Sequence, residues 1–133
     1  MRHFEAVLRH HPKQVSTMDL VRRCAEACQD CAGACNACAD ACLSESGVDM
    51  LRECIRLDLD CADVCAATGA VVSRLTRPHK APMEALLTAC IQTCRACAAA
   101  CDQHASMHEH CRACAEACRA CEVACAALLH AMP

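Results

Sequence analysis

The sequence contains no tryptophan, no tyrosine and a single phenylalanine, Phe4. Cores normally draw much of their burial energy from aromatic and large aliphatic side chains, so an aromatic-centred core is excluded here. Glycine is scarce, with three in 133 residues, and apolar–polar alternation is absent throughout, which removes any case for strands. Positive charge is not in excess either: 13 Lys and Arg face 16 Asp and Glu, for a net charge of -3. Without a basic stripe or an aromatic platform, nucleic acid is not an expected partner. No stretch approaches the roughly 18 apolar residues of a membrane span, so no membrane association is expected. The opening MRHFEAVLRHHPK has no apolar run of signal-peptide length. The expected location is therefore the cytoplasm, where thiols are kept reduced.

What fills the gap is sulfur. There are 18 cysteines, in four groups. The first is Cys24, Cys28, Cys31, Cys35, Cys38 and Cys42; the second is Cys54, Cys61 and Cys65. The third is Cys90, Cys94, Cys97 and Cys101, and the fourth is Cys111, Cys114, Cys118, Cys121 and Cys125. Nearly every step within a group is three or four residues, the stride of one helix face. The step of seven from Cys54 to Cys61 keeps the same register.

Punctuation between the groups agrees. Ser16 with Asp19, Ser46 with Asp49 and Ser106 with Glu109 each predict a capping-box-like helix start. Gly47 follows the first cysteine helix as a stop, and Pro82 suits a first helical turn. A short amphipathic segment at about residues 2–10 carries Phe4, Val7 and Leu8. The expected fold is all-α: an antiparallel four-helix bundle with a short N-terminal helix and a cysteine-lined core. One domain is expected over residues 1–133, with the N-terminal helix and linker in 1–14 and the bundle in 17–130.

Antiparallel order assigns the two ends different chemistry. One end gathers Cys24, Cys65, Cys90 and Cys125 beneath Leu20, Val21, Val71, Val72, Leu75, Leu86, Leu87, Leu128 and Leu129. It should be sealed by hydrocarbon. The other gathers Cys42, Cys54, Cys101 and Cys111 beside His104, Met107, His108 and His110. Imidazole and thioether both suit copper, so these groups are candidate ligands for entering or last-loaded ions. His3, His10, His11, His79 and His130 fall off the sulfur register and are expected at the surface.

A buried free cysteine can be a small hydrophobe, and one or two would need no other account. Eighteen on the inward register of four helices do, because leucine or valine would bury more apolar area there. Eight Cys-x-x-x-Cys pairs and five Cys-x-x-Cys steps place thiols about 5–6 Å apart at Cβ, close enough to turn toward one ion. Soft thiolates select Cu(I), Zn(II) or iron–sulfur clusters. A monovalent ion shared between thiolates brings the buried charge near zero, whereas four-thiolate zinc leaves each site negative. No cysteine precedes a proline as in common iron–sulfur runs. Cu(I) is favoured, and a zinc or mixed soft-metal buffer of metallothionein type is the alternative. A di-iron bundle needs Glu-x-x-His, which is absent. Thioredoxin-like exchange needs a βαβ setting for its Cys-x-x-Cys.

The second group is the poorest in sulfur. Asp58 stands four residues after Cys54, where the seam would take another cysteine. An inward carboxylate needs a metal or polar partner. The expectation is that Asp58 points to solvent, with an oxygen ligand near the mouth as the other possibility.

The runs CAEACQDCAGACNACADAC at 24–42, CADVC at 61–65, CRACAAAC at 94–101 and CRACAEACRACEVAC at 111–125 resemble the bacterial four-helix-bundle copper storage proteins. The missing signal peptide places the resemblance with their cytosolic branch, and it spans residues 17–130 or so. It implies a folded metal-free protein that takes up many Cu(I) ions, roughly one per cysteine, mostly bridged by Cys-x-x-x-Cys thiolates. It also implies a homotetramer. The expected ligands are all 18 cysteines together with His104, His108 and His110. No catalytic residue is expected: the chain reads as a metal-binding module, not an enzyme.

Overall fold

The structure is a computed structural model that describes residues 1–133. It is built from five α-helices: α1 (Arg2–Arg9), α2 (Met18–Leu43), α3 (Arg52–Val72), α4 (Lys80–Asp102) and α5 (Glu109–Ala131). A 3-10 turn, Val48–Leu51, leads into α3. Helices α2 to α5 form a closed square in which α2 packs on α3, α3 on α4, α4 on α5, and α5 back on α2. Diagonal helices do not approach at the backbone and meet only through side chains, such as Cys35 with Cys97 and Cys65 with Cys121, so the square encloses an axial space rather than a single ridge-to-groove contact. Short connections make each helix antiparallel to its neighbour.

The helix boundaries show where local signals were outcompeted. None of the three predicted capping boxes forms. Helix α2 begins after Thr17, α3 after the 3-10 turn and α5 after His108, all without a side-chain cap. The carboxylates meant for those boxes go to arginines instead. Asp19 takes Arg22 and Arg23 at 2.9 Å, Asp49 takes Arg52 at 2.7 Å, and Glu109 takes Arg112. An ionised donor one turn away makes a stronger hydrogen bond than a neutral backbone N–H. Gly47 is not a left-handed stop either: its φ is -93°, and α2 has already ended at Leu43. Pro82 does sit in the first turn of α4, where its missing N–H costs nothing.

The axial space is filled by sulfur. All 18 cysteines are free thiols and buried, none more than 2% exposed. Alanines such as Ala25, Ala39, Ala62, Ala98 and Ala115 fill in at the helix contacts. At one end a hydrocarbon plug closes the core: Val21, Val72, Leu75, Leu87 and Leu128, with Met83 and with Leu8 supplied by α1. Leu20, Val71, Leu86 and Leu129 are half-buried around it. Here α3 changes character, giving Thr68 and Gly69 inward in place of further cysteines. Thr68 is buried and donates its hydroxyl to the carbonyl of Val64 at 2.7 Å, which satisfies it within its own helix.

Gly69 sets how closely α2 and α3 approach. A Cβ there would lie 3.0 Å from Cys28 Cβ and 3.4 Å from the Ala25 carbonyl oxygen. Gly33, on the exposed face of α2, has nothing within 4 Å of such a Cβ. The two glycines therefore predict opposite outcomes. Gly33→Ala should stabilise the reduced protein by about 0.5–1 kcal/mol through helix propensity. Gly69→Ala should destabilise it by about 1 kcal/mol or more, because overpacking outweighs the same propensity gain. Urea denaturation under reducing conditions distinguishes them.

Candidate metal centre

The inward register of each helix delivers its thiols to a shared axis. At the sealed end Cys24 and Cys125 lie 3.6 Å apart and Cys65 and Cys90 3.7 Å apart, as the antiparallel order predicts. In the middle, Cys31 meets Cys118 at 3.7 Å and Cys61 meets Cys94 at 3.8 Å. Toward the other end Cys35 meets Cys114 at 3.6 Å, and Cys54 meets Cys101 at 3.4 Å. Along a single helix, Cys31/Cys35, Cys61/Cys65 and Cys121/Cys125 touch at 3.7, 3.8 and 3.9 Å. Other pairs turn their sulfurs toward other helices, as Cys24 and Cys28 do toward Cys125. Sequence spacing showed the pairs; only the packed square shows how far the contacts run between helices.

These contacts make four-donor groups whose ligand atoms all lie within 4.8 Å of one another. They are Cys28, Cys90, Cys121 and Cys125; Cys31, Cys65, Cys94 and Cys121; Cys31, Cys35, Cys61 and Cys118; and Cys35, Cys97, Cys114 and Cys118. The groups overlap through Cys121, Cys31, Cys35 and Cys118. A sulfur shared between two groups can bridge two ions, so the geometry suits a continuous multinuclear chain better than separate closed sites. Zinc–thiolate bonds of about 2.3 Å would also fit any one tetrad, but structural zinc sites are closed and discrete.

Metal-free, this core holds neutral thiols. Burial and nearby Cys42 push the Cys111 thiol up to about 12. Burial and then Cys54 raise Cys42 as well. A thiolate in this space has no cation beside it; a soft ion supplies the missing charge.

At the open end, Cys38, Cys42 and Cys111 form a group with His110. His110 Nδ1 lies 3.4 Å from Cys38 Sγ and 3.7 Å from Cys111 Sγ. His108 is stacked on His110 with ring centroids 5.4 Å apart and is turned to Glu45 rather than to sulfur. His104 is half-buried in the turn and hydrogen-bonds to neither thiol nor carboxylate through its ring. Met107 is 71% exposed, free of the core. Of the four mouth candidates, the structure brings only His110 to the sulfurs. The histidines expected at the surface lie there, with His3, His10, His79 and His130 exposed and His11 half-exposed.

Asp58 does not point to solvent. It is 0% exposed and stands within the sulfur axis. Cys97, Cys114 and Cys101 donate their S–H groups to its Oδ1 at 3.0, 3.2 and 3.4 Å. Its Oδ2 is buried with no partner. The helical period had placed it there, and the thiol donors make that burial tolerable by satisfying one oxygen. Desolvation raises its pKa to about 7, against an ordinary value of 3.8.

A copper storage protein family model matches residues 17–130. The chain belongs to the copper storage protein family. Among solved members, Ccsp from Streptomyces lividans loaded with 10 copper equivalents is 51% identical, with a TM-score of 0.93 over 97% of this chain and 99% of that one. A five-copper structure of the cytosolic copper storage protein from Streptomyces lividans is 56% identical, with a TM-score of 0.85 over 86% and 96% of the two chains. Cu(I)-bound BsCsp3 is 40% identical, with a TM-score of 0.72 over 81% and 96%. No curated protein matches the sequence.

Family membership does not explain why one carboxylate stands among the thiols, but its effect on stability follows from its pKa. Between about pH 4 and 7 the native state keeps a proton on Asp58 that the unfolded chain has lost. This contribution is fully present below the unfolded value and falls as pH rises through the native one, by on the order of 4 kcal/mol. Asp58→Asn should flatten that dependence. Urea denaturation of the reduced protein at several pH values, compared as the difference between wild type and variant, measures it.

Proposed function

We propose that this chain is a cytoplasmic store for Cu(I), holding roughly one ion per cysteine as a thiolate-bridged array inside the bundle. The proposed ligands are the 18 cysteines and His110. The observation that carries the reading is the overlap of the sulfur tetrads along the axis, which lets one thiolate serve two ions. At one ion per cysteine each Cu(I) displaces one proton on net and each thiolate is shared between ions, so the core moves from neutral thiols to a near-neutral copper–thiolate array. That exchange needs no oxidant and makes or breaks no bond in a substrate. Storage, rather than catalysis, is the function this chemistry supports.

The two ends divide the work. Hydrocarbon from Val21, Val72, Leu75, Leu87 and Leu128 closes one end. Ions then enter and leave by the end where His110 reaches Cys38 and Cys111. His104 and His108 stand around that opening as further contacts for copper in transit. The homotetramer implied by the family resemblance would cover part of the exposed apolar surface, which includes Val7 at 66% and Val123 at 69% exposure.

Two double variants test the direction of loading. Cys38→Ala/Cys42→Ala should slow the first additions of Cu(I), followed by stopped-flow absorbance of the copper–thiolate charge transfer. Cys24→Ala/Cys125→Ala should leave the early phase as in the wild type and reduce the final capacity by the missing thiols. An early phase slowed by the second variant but not by the first would overturn the proposed entry.

A further inference from the structure

Glu45 lies in the loop between α2 and the 3-10 turn, half-buried, three residues after Cys42 and so one step past the last thiol of its register. A single oxygen of it, Oε2, is 3.0 Å from His108 Nδ1 and 2.9 Å from His110 Nε2. The His110 contact is a hydrogen bond of the charge-assisted kind, and His108 stands at ion-pair distance from the same oxygen. We infer that Glu45 is the positioning residue of the copper mouth, fixing His110 with its Nδ1 lone pair turned inward to the thiols and holding His108 beside it. This inference rests on the reading of His110 as a copper ligand.

The argument is one of donors and acceptors. An ionised carboxylate accepts only, so the His110 nitrogen hydrogen-bonded to Glu45 must carry a hydrogen. His110 then donates Nε2–H to Glu45 and, as a neutral ring, keeps Nδ1 unprotonated. That nitrogen is the one facing Cys38 Sγ at 3.4 Å and Cys111 Sγ at 3.7 Å. His108 lies 3.0 Å from the same oxygen and stacks on His110, 18° from parallel, which holds the ring Glu45 has fixed. Histidines that bind metals commonly have their second N–H anchored this way, and loss of such an anchor typically costs about 10–100-fold in affinity or activity.

The first readout needs no copper. In reduced, metal-free protein, long-range 15N–1H correlation of the imidazoles should show His110 protonated at Nε2. In Glu45→Ala, circular dichroism should show a folded bundle while the His110 ring loses its fixed tautomer. The second readout is the rate of the first Cu(I) additions, which Glu45→Ala should slow by about ten-fold. In a His110→Ala background Glu45→Ala should slow loading no further, because the ring it positions is gone. Glu53→Ala, at an exposed carboxylate on the same end, should alter neither readout.

The inference is overturned if wild-type His110 carries its proton on Nδ1, or if Glu45→Ala leaves the His110 tautomer in place. It is also overturned if Glu45→Ala slows loading equally with and without His110. Loading unchanged by His110→Ala would instead remove His110 from the ligand set, and the tautomer spectra alone would then decide the role of Glu45.

Discussion

The structure depends on what a thiol can be in two protonation states. As S–H it is a small, weakly polar group that packs like a hydrophobe, and the bundle closes around 18 of them. As S⁻ it is a soft metal ligand that cannot stay buried without a cation. Sulfur–sulfur contacts of 3.4–4.0 Å satisfy the first condition and bring donors within reach of shared ions for the second. Larger side chains along the axis would bury more area and leave no ligands. The helices therefore carry alanine where they touch and cysteine where they face the axis, and Gly69 lets α2 and α3 approach where a Cβ would press on Cys28 and the Ala25 carbonyl.

Uniform sulfur would give an array with no direction. Direction comes from the ends. Hydrocarbon seals one of them, assisted by α1 through Leu8. At the other, imidazole and carboxylate replace hydrocarbon, and His110 meets the outermost thiols. Asp58 adds a further asymmetry. A carboxylate is a hard group and a poor Cu(I) ligand beside thiolates. Yet it collects S–H donors from α4 and α5 and leaves one oxygen unpaired in the core. A buried acceptor of this kind costs stability, on the order of 1–3 kcal/mol for the unpaired oxygen. Leucine at the same place would avoid that cost and hold no thiol in orientation.

Much of this was legible in the sequence, for physical reasons. A three-to-four residue stride places every cysteine on one face of its helix, and antiparallel order pairs Cys24 with Cys125 and Cys54 with Cys101 before any coordinates are known. Helix starts were less legible: Ser16, Ser46 and Ser106 each stand near an acidic residue, but an arginine one turn on takes that carboxylate. Asp58 was readable and misjudged. Its period pointed inward, and the general cost of burying a carboxylate was given too much weight against thiol donors already lining the axis. Glu45 carried only a weak signal, three residues after Cys42 on the continued stride. It lies past the end of α2, and its closeness to His108 and His110 arises only when the α2 end and the α5 start meet across the mouth.

The central claim is that the axis is a ligand array rather than a thiol-packed scaffold. The most direct measurement is an anaerobic titration of the reduced, metal-free protein with Cu(I) against a strong chromogenic Cu(I) chelator, repeated with Zn(II). The account predicts that copper is withheld from the chelator up to about one ion per thiolate, since shared thiolates reach charge balance there. Uptake that stops after a few ions, or tight zinc saturation near one ion per four thiolates, would contradict it and leave a zinc buffer or a structural core in its place.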